Sequence, residues 1–354
     1  MNSEHKKIDL RSDTFTLPTE EMLDAIKNAK LGDDQAREDP TVIDLEERSA
    51  KLFGKEAGLL TLSGTAGNLL GVLSQTDGRG SEIIVESQSH IVYYEVASVS
   101  TLGGVMVRQV PGHNGYFTPE EVIPYIREKN THFPRTTLIS LENTHNRAGG
   151  VPFTTSQMDA IGNLAREHAI GFHVDGARIF NASIATNSSV RDLTKSASSI
   201  TFCLSKGLSC PAGSVLLGNQ ELIDHARKLR QMIGGSLRQA GVIAAPGLVA
   251  LNNISRLKED HDNAKKLAQA INHLKCPFIK ASDPKTNIVL VTTSFSGEKF
   301  EELLAQHNIL AFSTGKFTTR LVTHRMVTKE DIDEALTQIE MISKKVNEKL
   351  NENL

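Results

Sequence analysis

His173-Val174-Asp175-Gly176-Ala177-Arg178 and Leu204-Ser205-Lys206-Gly207 decide the fold. Each lies at the end of a short apolar run, Ile170 to Asp175 and Ile200 to Leu204, so an acid ends one strand and a lysine follows another. That combination suits a pyridoxal phosphate site. The lysine holds the cofactor as an imine, while the carboxylate keeps the pyridine nitrogen protonated so that the ring draws electrons from a substrate carbon.

Working outward, the runs Gly58 to Leu62, Glu82 to Glu86, Gly104 to Val110, Thr137 to Glu142 and Ser214 to Leu217 alternate with longer amphipathic stretches. This alternation predicts an α/β fold: a mostly parallel central sheet with helices on both faces and functional residues at the carboxyl ends of the strands. Asp39-Pro40 opens a helix with a capping acid and a proline at its first position, and Gly54 closes it. From Ser236 to about Leu267 the pattern predicts a long helix, kinked or broken near Pro246. Beyond it come strand Thr286 to Thr292, helix Lys299 to His307 and strands Ile309 to Ser313 and Arg320 to Thr323, the signature of a smaller α+β domain. A closing helix from Lys329 is expected to fray into a mobile polar tail, Asn347 to Leu354.

At 354 residues the chain exceeds the size at which one core keeps growing. The expected division is an N-terminal arm and helix (1–35), a large cofactor-binding domain (36–250) and a small C-terminal domain (251–354). Charged residues make up 23%, with net charge -3. Nothing in that balance favours nucleic acid or an anionic membrane, and a small soluble substrate is the expected partner. The N-terminus is polar and no apolar run is long enough to cross a bilayer, so the expected location is the cytoplasm. Three cysteines without a CxxC pair suggest neither a disulfide framework nor a zinc site, and no metal is expected. Cys203 and Cys210, flanking Lys206, read as small buried apolar side chains.

Four further groups of residues carry chemistry. Ser63-Gly64-Thr65 follows a strand and opens an apolar helix, a turn that either cradles a phosphate on free backbone amides or is ordinary glycine punctuation. His90 and His145 each follow a strand, where an imidazole lies against a cofactor ring, exchanges protons with substrate, or simply caps and packs. Arg178, three residues after Asp175, either reaches the cofactor's phenolic oxygen or the substrate, or forms a salt bridge. Arg320, with Arg325 as its competitor, offers a guanidinium for a substrate carboxylate, and Arg238 after a flexible turn offers one for a phosphate, including that of a neighbouring subunit.

Arg11-Ser12-Asp13-Thr14, Glu38-Asp39-Pro40-Thr41, Ser63-Gly64-Thr65, Glu142-Asn143-Thr144-His145-Asn146-Arg147, Asp175-Gly176-Ala177-Arg178 and Phe202-Cys203-Leu204-Ser205-Lys206-Gly207 resemble, in order along nearly the whole chain, the low-specificity L-threonine aldolases. The resemblance implies a fold-type I pyridoxal phosphate enzyme, a homotetramer built from dimers with shared active sites. It makes Lys206 the imine lysine, Asp175 the pyridinium partner and Arg178 a contact to the cofactor's oxygen side, with Ser63, Gly64 and Thr65 at the phosphate and Arg238 approaching it. His90 becomes the ring-stacking histidine, His145 a second candidate for the substrate hydroxyl, and Ser12 with Arg320 the carboxylate-binding groups.

The activity so implied is retro-aldol cleavage of L-threonine, L-allo-threonine and related β-hydroxy-α-amino acids to glycine and an aldehyde. Another fold-type I reaction, β-elimination or transamination, is the alternative; folate-dependent glycine hydroxymethyl transfer and a non-catalytic binding protein are more distant rivals. The chain departs from the family in two places. Where relatives commonly carry Val-Tyr-Gly it has Gln35-Ala36-Arg37, and where they often carry glycines after the histidine motif it has Ala97-Ser98.

Overall fold

The structure, a computed structural model, describes residues 6–351. Its strands are β1 (Ile8–Asp9), β2 (Ala57–Thr61), β3 (Ser81–Glu86), β4 (Met106–Val110), β5 (Arg135–Glu142), β6 (Gly171–Asp175) and β7 (Ser199–Cys203). They continue with β8 (Ser214–Gly218), β9 (Ile279–Ala281), β10 (Ile288–Thr293), β11 (Ile309–Leu310), β12 (Phe312–Gly315) and β13 (Thr318–Val322). Two compact units form: Pro18–Ile254, and the residues up to Leu17 together with Ser255 onward. The division differs from the one expected, because residues 6–17 join the C-terminal unit while helix Glu20–Lys27 belongs to the larger one.

The larger unit is built on a seven-stranded sheet in the order β2-β8-β7-β6-β5-β3-β4. All neighbours from β7 to β4 run parallel, and β8 is the strand that runs against them. Alternation along β7 sorts its two faces. Phe202 points to one side and stacks on Phe53, with centroids 5.2 Å apart, while Phe180 meets both edge-on. Thr201 and Cys203 point to the other side, against helix Gly64–Leu73. That helix lies close to the sheet because Gly64, Gly67 and Gly71 present no side chain to it. A Cβ at Gly64 would stand 2.7 Å from Cys203 Sγ, and one at Gly71 2.5 Å from His173 Cε1.

Asp39 caps helix Pro40–Phe53 as the sequence predicts, and Gly54 ends it in the left-handed region at φ 66°. The acid does more than cap. Its two oxygens accept the amides of Thr41, Val42, Gly32 and Gly241, joining the helix start to the loop before it and to a segment 202 positions away.

The expected long helix from Ser236 is instead two helices, Gly241–Asn252 and Leu257–His273, separated by a 3-10 turn at Ile254–Arg256. Pro246 stays inside the first of them and does not mark the break. In the smaller unit β12-β13-β10-β9 form an antiparallel sheet, and β1 pairs in parallel with β11. The expected strand Ile309 to Ser313 is thus two strands in two sheets. The final helix runs from Lys329 to Asn351, so it is still helical beyond Asn347, where fraying was expected; residues 352–354 of that tail lie outside the described residues.

Candidate active site

Parallel register aligns the carboxyl ends of the central strands. Glu142 on β5 faces Asp175 on β6, and Asp175 faces Thr201 on β7, two residues before that strand ends and five before Lys206. The lysine loop is tied back on itself: Ser209 donates to the Lys206 carbonyl at 2.8 Å and Cys210 to that of Leu204 at 3.1 Å. Cys203 and Cys210 are buried free thiols, and burial pushes Cys210 up to about 12, which makes it inert.

Ser63 caps helix Gly64–Leu73, its hydroxyl accepting from Ala66 N at 3.1 Å. Among the described residues the amides of Gly64 and Thr65 donate to no protein group, which leaves two N–H donors at the positive end of the helix. This is the donor set a phosphate needs. The residues present therefore fit pyridoxal phosphate: two open amides with no Cβ at Gly64, the lysine at the end of one strand and the carboxylate at the end of the next.

Asp175, almost completely buried, accepts from Ala177 N at 3.0 Å and from Asn68 Nδ2 at 2.8 Å. The same Asn68 nitrogen donates to Glu95 Oε1 at 2.8 Å, and that oxygen meets His90 Nδ1, also at 2.8 Å. His90, Glu95 and Asp175 thus each bring a polar atom within 4.8 Å of the others. Burial works against a charged His90, but the bond to Glu95 and the charges of Asp175 and Glu142 outweigh it and hold its pKa above the usual histidine value. Burial also raises Glu95, with Asp175 adding to the rise and His90 opposing it. Both shifts favour a proton on the His90–Glu95 pair. His90 N donates to Glu142 Oε2 at 2.6 Å, which fixes the start of the short helix His90–Tyr93.

His145 is placed differently from the expectation that it stands ready for a substrate hydroxyl. Its Nε2 bonds Glu86 Oε2 at 3.0 Å and its Nδ1 accepts from Ala148 N at 3.2 Å, so both ring nitrogens are engaged. Burial opposes its charge, and the contact with Glu86 reverses the balance and raises its pKa. Glu142 Oε1 accepts from Asn146 N at 2.8 Å, beside the cis bond Asn143–Thr144. Arg178 is the residue before helix Ile179–Thr186 and donates to Asn146 Oδ1 at 3.3 Å.

Arg238 is two-thirds exposed and pairs with Asp33 at 3.0 Å. Ser12 and Arg320 both belong to the smaller unit, where Ser12 Oγ accepts from Thr14 N at 3.2 Å and Arg320 Nη2 donates to the Arg11 carbonyl at 3.3 Å. Sequence reasoning missed Asn68, Glu95, Glu86 and His173. A signal for one of them was present: His173 and Asp175 are two apart on one strand, so they share a face.

Both departures from the family pattern fall on strained backbone. Arg37 stands at φ 62°, and Val96 and Ala97 directly after Glu95 stand at 52° and 54°. Left-handed φ favours glycine, and a β-branched side chain tolerates it least.

A sheet of this order, with the acid and the lysine at adjacent strand ends and a glycine-faced helix below an open amide pair, is the large domain of fold-type I pyridoxal phosphate enzymes. The beta-eliminating lyase family profile matches residues 9–294. Low-specificity L-threonine aldolase 1 of Arabidopsis thaliana is 40% identical over 340 residues, covering 94% of this chain and 95% of the relative. The low specificity L-threonine aldolase of Escherichia coli K12 is 38% identical over 330 residues, 92% and 96% of the two chains. The chain belongs to the beta-eliminating lyase family, among its low-specificity L-threonine aldolases. In fold it is similar to a putative L-allo-threonine aldolase of Listeria monocytogenes, with TM-score 0.79 and 18% identity over 95% and 96% of the chains.

Proposed function

We propose that the protein cleaves L-threonine, L-allo-threonine and related β-hydroxy-α-amino acids to glycine and an aldehyde, using pyridoxal phosphate. The observation that carries this reading is the Asp175 carboxylate, buried and oriented by Asn68, at the end of the strand beside the one that leads to Lys206. Membership of the aldolase family supports it over β-elimination or transamination, which the same lysine and acid also serve.

When bound, the cofactor supplies an electron sink for the pair released as the Cα–Cβ bond breaks. Lys206 is the residue that attaches it, and Gly64 and Thr65 offer their amides to its phosphate. Ser63 serves by fixing the turn, since its hydroxyl is spent on the Ala66 amide. Asp175 keeps a proton on the pyridine nitrogen. His90 Nε2, the ring nitrogen left over when Nδ1 meets Glu95, is assigned the exchange of the β-hydroxyl proton ahead of His145, whose nitrogens are both taken. Arg178, held by Asn146, lies three residues beyond Asp175 to meet the cofactor's oxygen side. Ser12 and Arg320 are assigned the substrate carboxylate, and Arg238 the phosphate of a neighbouring subunit in a homotetramer. An exposed apolar stretch at Tyr93, Tyr94 and Val96, the last 91% exposed, supports an oligomer.

The test is glycine and aldehyde release from L-threonine, L-allo-threonine and L-phenylserine, wild type beside Lys206→Ala, with the visible spectrum recorded. Equimolar products lost in the variant establish the reaction. A coloured protein that releases no aldehyde points to another pyridoxal phosphate reaction, and a colourless one overturns the reading.

A further inference from the structure

A second chain of hydrogen bonds approaches Asp175 from the far end of helix Gly64–Leu73. Gln75 Nε2 reaches the Gly71 carbonyl and Ser199 Oγ, both at 2.7 Å. Ser199 Oγ meets His173 Nδ1 at 2.8 Å, and His173 Nε2 meets Asn68 Oδ1 at 3.3 Å. Asn68 Nδ2 then donates to Asp175 and Glu95. Both ends of this chain fix its direction. A carbonyl only accepts, so the Gln75 nitrogen must face Gly71 and its N–H points at Ser199. At the other end Asn68 faces two acids, so its nitrogen lies there and its oxygen must accept from His173. For a neutral ring one arrangement meets both conditions: the proton on Nε2, with Nδ1 accepting the Ser199 hydroxyl. Burial agrees, lowering His173 to about 4. The ring has its place because Gly71 leaves room for it.

We propose that Gln75, Ser199 and His173 form a one-way donor relay that locks the Asn68 amide with its N–H₂ toward Asp175 and Glu95, making these three positioning residues for the acid pair of the active site. The relay supplies dipoles and no charge, so it orients Asp175 without neutralising it, and the carboxylate's negative charge is left for the cofactor nitrogen. It also holds Glu95 Oε1 against His90, while Glu95 Oε2 is buried with no partner among the described residues. The cofactor part of this proposal rests on the reading given above.

Gln75→Glu tests the direction. The variant is nearly isosteric at a half-buried site and replaces the first donor by an acceptor. Ser199 then turns its hydroxyl toward residue 75 and needs a donor from His173 Nδ1: either the ring proton moves there and Asn68 turns its oxygen toward the two acids, or the ring takes a second proton and Asn68 stays as it is. Nitrogen-15 spectra of histidine-labelled full-length protein without cofactor should show His173, assigned by the signal lost in His173→Gln, as the Nε2–H form at neutral pH. In Gln75→Glu the proton should move to Nδ1 or the ring should become charged. Reconstituted Gln75→Glu should bind pyridoxal phosphate about tenfold more weakly, and kcat should fall about tenfold with little change in KM. Gln75→Leu, which cuts the relay without reversing it, should change each two- to threefold. An Nδ1–H ring in the wild type, or a Gln75→Glu spectrum identical to it, overturns the relay. A reversed ring with unaltered cofactor affinity overturns its link to Asp175. Absence of cofactor binding in the wild type overturns the functional reading alone, since the labelled spectra decide the relay by themselves.

Discussion

His90 and His173 lie on opposite sides of Asn68, and their surroundings shift their pKa values in opposite directions. His90 faces Glu95, Asp175 and Glu142, and three acids raise its pKa against the effect of burial. His173 is fully buried among a serine, an amide and the helix backbone, and burial lowers it to about 4. One residue type thus has its proton favoured at the site and disfavoured behind it. Burial lowers both rings; at His90 the direct bond to Glu95 and three acids outweigh it, whereas at His173 Asp175 opposes burial without outweighing it.

The largest test strikes the acid common to both regions. Asp175→Asn keeps the shape and removes the charge, and turnover should fall by about 10³-fold with the fold intact by circular dichroism. A loss under tenfold would remove Asp175 from the comparison. Next comes the neutral side. His173 has a folded pKa below its ordinary 6.5, so the unfolded chain binds more protons between about 6.5 and 4. Stability contributed by the neutral ring is present above 6.5 and lost as pH falls through that window, by on the order of 3 kcal/mol. Urea unfolding at pH 7 and pH 4.5 measures it, and the slope should shrink in His173→Gln.

On the charged side, Glu95→Gln removes the main partner of His90. The His90 pKa should drop, read by proton NMR, and activity should fall about tenfold, with the acidic limb of its pH profile moving with His90. An unmoved His90 would mean that Asp175 and Glu142 suffice. The smallest effect lies just beyond Glu95. Ala97→Gly relieves a left-handed residue at φ 54°, and thermal unfolding should register a gain of about 0.5 to 1 kcal/mol with no change in His90 titration.

Much of this was legible in the sequence because it is local. Asp39-Pro40 announces its cap, and strand-end residues such as Asp175 and Lys206 stand out by following apolar runs. The break after Asn252 was not legible, because Pro246 is the stronger local signal for a kink yet is carried inside its helix, while no proline or glycine marks the turn Ile254–Arg256. Asn68, Glu95 and Glu86 were invisible for a different reason. Each is an ordinary polar residue whose role exists only once three or four elements converge, and Asn68 meets Asp175 across 107 positions of chain. His145 was legible as a residue of interest, but not that Glu86 and Ala148 had already taken its nitrogens.

The pairing of β1 with β11 sets a timetable for synthesis. Ile8 finds Ile309 and Asp9 finds Leu310, so the first strand must wait for about 300 residues to be made. At about 5 to 20 residues per second that is roughly 15 to 60 s on the ribosome. Ile8 and Leu10 are destined for the core of the smaller unit, whose other members begin only at Ala264, so for most of that interval they have none of that core to join. The larger unit, Pro18–Ile254, lies wholly upstream of Ser255, so a nascent chain that has cleared the ribosome beyond residue 254 should already carry its folded sheet.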